Sequence, residues 1–271
     1  MYRISDFLYL LIYHLIGYRK SVVVNNISNS FPDKSPQEIK RIASLFYQHL
    51  CDLIVETIKM FSISKEELIR RCKVRNPELL QQYFDQGKSI IIPGGHYANW
   101  EMTATATDIQ IAHQAIGAYS PLKDRFMNDQ IRKSRSRFGL KLVPIQELKN
   151  FFSEYDGMPM AMIFGSDQSP RNVDKAYWTN FLNQDTGVMF GTEKYAHEYD
   201  YPVIYGKIDK LKRGYYEFEF ILITDQPKST RYGEISEAHT RILEKAIIDQ
   251  PEYWLWSHRR WKRKRKATEV K

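Results

Sequence analysis

The sequence predicts an α/β fold: a central, mostly parallel mixed sheet flanked by helices, with a helical N-terminal region in front of it. Three observations carry this expectation. Residues up to about 85 show only helical spacing of apolar side chains. From Ser89 onward, short apolar runs alternate with helical stretches, the pattern of strand–helix units in a parallel sheet. Two late runs, 202–209 and 215–224, are joined by Lys210-Leu211-Lys212-Arg213-Gly214 and are expected to pair antiparallel, which makes the sheet mixed. With 43% hydrophobic residues in 271, the chain can bury a sizeable core. It has no repeat, low-complexity linker or marked boundary. Residues 1–271 are therefore expected to form one domain, helical over 1–85 and α/β over 86–271.

The elements follow in order. Residues 7–16 form an apolar aromatic-aliphatic stretch, too short to span a bilayer and lacking a small-residue cleavage site. With Arg19 and Lys20 behind it, it fits an interfacial helix, and its pattern fits a core-packing first helix equally well. Ser35-Pro36-Gln37-Glu38 opens a long helix, with Ser35 as cap, Pro36 in the first position and Glu38 closing a capping box. Asn76-Pro77 starts a short one. Strands are expected at 89–93, 114–118, 140–144, 160–165, 202–209 and 215–224, and helices at 99–111, 122–138, 145–153, 189–199 and 232–248.

Composition narrows the function classes. The net charge of +8 favours an acidic partner: anionic lipid, an acidic carrier protein or nucleic acid. The 18 tyrosines, 14 phenylalanines and 5 tryptophans exceed what a core requires and suit interfaces, membrane surfaces included. Cys51 and Cys72 read as free thiols in a reducing compartment. The seven histidines lack metal-ligand spacing, so no metal is expected.

The run Ile90-Ile91-Ile92-Pro93-Gly94-Gly95-His96-Tyr97-Ala98-Asn99-Trp100-Glu101 is the most informative. It reads as a buried strand, a glycine turn and a helix entry, which puts an imidazole at a strand end, where open α/β sheets hold their chemistry. His96 and Glu101 are five positions apart and cannot meet on one regular helix. They can meet if His96 lies in the loop and Glu101 in the first helical turn, with Asn99 as the cap. A carboxylate that fixes the tautomer of a histidine makes it a general base.

Three further blocks follow. Tyr119-Ser120-Pro121-Leu122-Lys123 precedes a helix bearing Asn128, Asp129, Arg132, Arg135 and Arg137, where Arg132 and Arg135 share a face suited to phosphate or simply to solvent. Phe164-Gly165-Ser166-Asp167-Gln168-Ser169-Pro170-Arg171 follows an apolar run, so its polar residues are expected at the same sheet edge as His96. Residues 184–192 form a glycine-bracketed stretch expected to enter a helix, lining a tunnel or packing closely. Near the C-terminus, Trp254, Trp256 and Trp261 are interleaved with Arg259, Arg260 and a basic run through Lys266. That composition suits a membrane surface carrying anionic lipid, and it suits nucleic acid.

Together the blocks resemble the lipid A biosynthesis (late) acyltransferases, within the lysophospholipid and glycerol-phosphate acyltransferase superfamily. Gly94-Gly-His96-Tyr-Ala-Asn99-Trp-Glu101 matches the His-x4-Asp/Glu block. Tyr119-Ser-Pro-Leu-Lys with Arg135-Ser-Arg137, Gly165-Ser-Asp167-Gln-Ser-Pro170, and the segment from Pro251 to Lys262 match the second, third and closing blocks. Asn25-Asn26-Ile27 with Phe31-Pro32 matches the early segment. The third block departs from better-known members, which carry Asp-His or similar where this chain has Ser-Asp-Gln, and the hydrophobic start is shorter than is usual in the family.

The resemblance implies a glycerol-phosphate-acyltransferase-like fold and a reaction. An acyl thioester on acyl-carrier protein or coenzyme A meets a hydroxyl of a lipid A-type acceptor. His96 removes the hydroxyl proton and Glu101 orients and balances the imidazole. Arg135 is expected to hold an acceptor phosphate or the oxyanion, with Asp167, Asn99, Tyr119 and Arg132 as further substrate-binding candidates. Trp254, Trp256, Arg259, Arg260 and Trp261 are candidates for a membrane or anionic surface. No cofactor is implied, and nucleic acid is not an expected partner. The implied location is the cytoplasmic face of the bacterial inner membrane, peripheral or N-terminally anchored. A lysophospholipid or aminolipid acceptor is the neighbouring alternative. A basic nucleic-acid binder explains the charge but not the strand-Gly-Gly-His-x4-Glu turn. A serine hydrolase would need a Gly-x-Ser-x-Gly elbow, and the sequence has none.

Overall fold

The computed structural model describes residues 1–265, so the last part of the basic tail expected at 262–271 lies outside the described residues. Helices come first. α1 (Tyr2–Tyr9) runs into a π-helical stretch (Leu10–Ile16), breaks at Gly17 with φ of +62°, and turns into α2 (Lys20–Ser30), the two arms meeting at 92°. Among the described residues no single helix is long and apolar enough to cross a membrane. α3 (Pro36–Met60) opens with the expected capping box: Glu38 N–H donates to Ser35 Oγ, and Ser35 N–H donates to the Glu38 carboxylate. α4 (Lys65–Arg71) and α5 (Glu78–Asp85) complete this region.

Between α4 and α5 lies β1 (Cys72–Val74), a strand where only helix was expected. Three residues carry no readable alternation. Its pairing with a distant strand, and the Gln110 side chain that bonds Val74 N–H and Cys72 C=O, decide its state. From there the order is β2 (Ile90–Gly94), α6 (Trp100–Thr107), β3 (Gln114–Tyr119), α7 (Arg125–Arg135), β4 (Lys141–Pro144), α8 (Leu148–Glu154) and β5 (Met160–Gly165). The hairpin β6 (Ala176–Phe181) and β7 (Gln184–Met189) follows, then α9 (Gly191–Tyr199), β8 (Val203–Lys212), β9 (Tyr215–Thr224) and α10 (Glu234–Asp249).

The main sheet has seven strands in the order β1-β9-β8-β2-β5-β3-β4, parallel except for the antiparallel β8–β9 pair. The mixed sheet expected from the sequence is thus observed. The glycine-bracketed stretch is corrected: 184–189 is strand β7, and the helix begins only at Gly191. Leu182 and Asn183 both have positive φ, 50° and 61°, the geometry of a two-residue hairpin turn.

One large apolar cluster fills the space between the sheet and the packed N-terminal helices and α10. A smaller one lies under α8 and α9, where Phe152 stacks on Tyr195 and Tyr199 with centroids 4.5 and 5.0 Å away. The central strands read IIIP and MAMI because both faces are covered; Ile90, Ile91, Met160 and Met162 are all fully buried. This rigid centre sets the register that matters for the site. β2 and β5 are parallel neighbours, and Gly94 lies opposite Gly165.

Candidate active site

That register determines what meets beyond the strands. His96 is two residues past Gly94 and Asp167 two past Gly165, so the two side chains leave adjacent strands side by side. The imidazole Nδ1 is 2.6 Å from Asp167 Oδ1, and the backbone N–H of His96 donates to Oδ2 at 3.0 Å. Ser166 N–H donates to Gly94 C=O at 2.9 Å, which keeps the ladder intact up to the pair. Glycine is needed at 165, where a Cβ would stand 2.9 Å from His96 Cε1.

Asp167 is buried and fully engaged. Its Oδ2 also accepts the indole N–H of Trp254 at 2.7 Å. Burial opposes its charge, but the His96 imidazolium and the bonds from His96 and Trp254 outweigh burial and hold the carboxyl well below its ordinary range. The His96 side chain keeps 22% of its surface exposed. Burial disfavours its charged form, yet Asp167, helped by Glu101, raises its pKa above the usual histidine value, with Arg135 pulling the other way. With Nδ1 committed to Asp167, Nε2 is the atom left for chemistry. It sits 3.2 Å from Gln168 Nε2, and the Trp100 ring packs edge-on to the imidazole at 5.2 Å.

The expected contact between His96 and Glu101 is therefore corrected. Glu101 does lie in the first turn of α6, but Arg135 takes its carboxylate in a forked pair, Nε to Oε2 at 2.7 Å and Nη2 to Oε1. The reason is geometric: Asp167 comes straight off the neighbouring strand, whereas Glu101 is turned towards the end of α7.

Asn99, a substrate-binding candidate from the sequence, is held inward. It is buried, its Oδ1 caps α6 by accepting Met102 N–H at 2.9 Å, and its Nδ2 donates to Glu56 at 2.6 Å. Glu56, from α3, further accepts the hydroxyls of Tyr2 and Tyr216 at 2.9 and 2.8 Å. Burial raises its pKa, and those three donors work against the rise. Beside it His49 reaches Ala98 C=O at 3.2 Å, under a backbone with φ of 48°. The floor of the His96 loop is thus a polar network from the helical region, and nothing in the spacing of Glu56 or His49 distinguishes it from an ordinary helix face.

Tyr119 ends β3, half-buried, with its backbone paired to Pro144. Arg132 is exposed on α7, one turn from Arg135. Arg171 reaches Ser120 Oγ at 3.3 Å, which draws the second and third blocks together at this edge.

The closing block is built differently from the surface expected for it. Trp254, Trp256 and Arg260 are buried. Trp254 bonds Asp167, Trp256 donates to Pro251 C=O at 2.6 Å, and Arg260 donates to Gly187 C=O at 2.7 Å. Trp261, half-buried, donates to Thr186 Oγ1 at 2.7 Å; only Arg259 is exposed. The rings are buried because the segment is a clamp. Ala98 N–H donates to Tyr253 C=O at 2.9 Å, Leu255 N–H to His96 C=O at 3.2 Å, and Tyr97 and Trp254 form an antiparallel bridge.

The edge thus carries a strand-end His–Asp pair braced by an aromatic clamp, with a forked Glu–Arg pair beside it. The model of the bacterial lipid A biosynthesis acyltransferase family matches residues 1–263. The chain belongs to that family. A lipid A biosynthesis palmitoleoyltransferase of Escherichia coli (strain K12) is 19% identical over 246 residues, covering 90% of this chain and 79% of that protein. A lipid A biosynthesis acyltransferase of Shigella flexneri matches with the same figures. As a family member the chain is an acyltransferase of bacterial lipid A biosynthesis.

Proposed function

We propose that this acyltransferase moves a fatty acyl chain from an acyl thioester, carried by acyl-carrier protein or coenzyme A, to a hydroxyl of a lipid A-type acceptor. The observation that carries the reading is the His96–Asp167 pair, which occupies Nδ1 and leaves Nε2, beside the Gln168 amide at 3.2 Å, as the base position at a parallel-sheet edge. The acceptor hydroxyl oxygen attacks the thioester carbonyl carbon while His96 Nε2 takes the hydroxyl proton. Asp167 holds the tautomer and balances the imidazolium. The tetrahedral intermediate collapses, the carbon–sulfur bond breaks, and the imidazolium returns its proton to the departing thiolate. The hydroxyl attacks directly, so no serine or cysteine nucleophile enters.

Glu101 and Arg135 serve the same centre. Both lie in the field of His96, and their pair fixes the guanidinium plane next to it. Arg135 is suited to an acceptor phosphate or to the oxyanion, with Glu101 as its positioning carboxylate. Tyr119 and Arg132 flank the acceptor side. The acidic carrier and the anionic acceptor both suit the chain's charge of +8. We place the enzyme at the cytoplasmic face of the inner membrane, held by the exposed apolar side chains Ile4, Phe7, Leu10, Leu15 and Ile16. The test is transfer of labelled acyl groups from acyl-carrier protein and from coenzyme A to lipid A precursors. Wild-type turnover in folded His96→Ala would overturn the mechanism.

A further inference from the structure

A second concavity lies away from the catalytic edge, between α2 and the start of α3. It has a volume of about 400 Å³, within the usual range for small-molecule sites. Its floor is apolar: Tyr13, Ile39 and Ala43 are buried, and Val24 and Phe31 are half-buried. Its rim carries Lys20, Lys34 and Lys40, all exposed. Lys20 Nζ stands 4.3 Å from the Tyr13 ring centroid and Lys34 Nζ 5.5 Å from that of Phe31, so two of the ammonium groups lie over the apolar walls. Among the described residues none of the three forms a salt bridge. Glu38, whose carboxylate feels the charge of Lys34, is already bound in the α3 capping box. Exposed Leu15, Ile16 and Tyr18 lie in the chain between Tyr13 and Lys20, so the rim continues into the apolar surface of the helical region. Ala43 and Glu56 lie 13 residues apart on α3, roughly 20 Å along the axis, which separates this cleft from the network under His96.

We propose that this cleft binds one anionic phospholipid of the bilayer, with an acyl chain on the Tyr13–Ile39–Ala43 floor and its phosphate among Lys20, Lys34 and Lys40. An apolar floor under a cationic rim matches an amphiphile with a negative head, whereas a zwitterionic lipid brings no net charge to the three lysines. The proposal goes beyond acyl transfer and does not depend on it.

Native mass spectrometry of the full chain with dioctanoyl phosphatidylglycerol or dioctanoyl phosphatidylcholine, both below their micellar concentrations, tests it. One bound phosphatidylglycerol is expected, held at least tenfold more tightly than phosphatidylcholine. Ser28→Trp, which fills the cleft from α2, should remove both lipids. The triple variant Lys20→Gln, Lys34→Gln, Lys40→Gln should lose the tenfold preference. Its side chains are exposed, so it carries the test even if Ser28→Trp fails to fold. Equal affinity for the two lipids in the wild type, or a preference that survives the triple variant, overturns the proposal.

Discussion

His96 and Asp167 are joined twice, by Nδ1 to Oδ1 at 2.6 Å and by backbone N–H to Oδ2 at 3.0 Å. The aspartate therefore fixes the ring orientation, the tautomer and the path of the loop. Asp167→Asn should keep the fold and lower kcat by about 10²–10⁴-fold, because an amide cannot hold the same tautomer or balance the imidazolium. KM for the acyl donor should change little. Single-turnover assays on the folded variant decide it, and near-wild-type kcat would remove Asp167 from the mechanism.

The same pair fixes a pH dependence. His96 works as a base only when neutral, and its pKa is raised by Asp167 against burial. Activity should rise with pH through a midpoint above the ordinary histidine value of about 6.5, and Asp167→Asn should move that midpoint down. The stability effect has the opposite sign. A raised histidine pKa stabilises the fold below the unfolded value and loses that contribution as pH rises through the folded one. The depressed Asp167 pKa stabilises above its unfolded value and loses its contribution as pH falls through the folded one. The pair should thus contribute fully between about pH 4 and 6.5, which urea titrations of wild type and Asp167→Asn across that window would reveal.

Three other histidines set the acid limit. His49, His239 and His258 are pushed by burial down to about 3, 4 and 4, so they are neutral in the fold and charge on unfolding. Depressed histidine pKa values stabilise above about 6.5 and lose that contribution as pH falls through the folded values. Urea midpoints should therefore drop steeply below about pH 6. A flat profile from pH 7 to 4 would contradict these assignments.

Arg135 and Glu101 should behave as one unit. Each removes the partner of the other, so Arg135→Ala and Glu101→Ala are expected to be non-additive in kcat/KM by about 1–3 kcal/mol. Arg135→Lys should be impaired as well, since a point charge does not reproduce the fork. Strict additivity in the double variant would mean the pair has no shared role.

Two kinds of aromatic or apolar change should separate structure from attachment. Trp254→Ala or Trp256→Ala empties a core position and should destabilise by about 3–5 kcal/mol. Phe7→Ser with Leu15→Ser, at positions 65% and 78% exposed, should leave the melting curve in place and weaken flotation with anionic liposomes. Unchanged flotation in that double variant would move the attachment surface elsewhere.

Much of this molecule is legible in its sequence. Six strand runs, the capping box at Ser35 and the shared edge of the His96 and Asp167 blocks follow from apolar runs and turn residues alone. Glu101 misled because sequence proximity favours the acid on the same loop. The true partner of His96 depends on Gly94 standing opposite Gly165, and strand order is not written in local pattern. Trp254 and Trp256 misled because interleaved aromatics and arginines look alike whether they face lipid or brace a loop. Glu56 had no signal at all, since its donors come from positions 2, 99 and 216.

The clamp also concentrates a vulnerability. Trp254 fills the second face of Asp167, and Leu255 N–H bonds His96 C=O. A chain cut by a protease between Gln250 and Trp254 keeps every strand of the sheet and leaves the His96 loop unbraced. Such a clipped copy should be a silent protein and not a leaky enzyme.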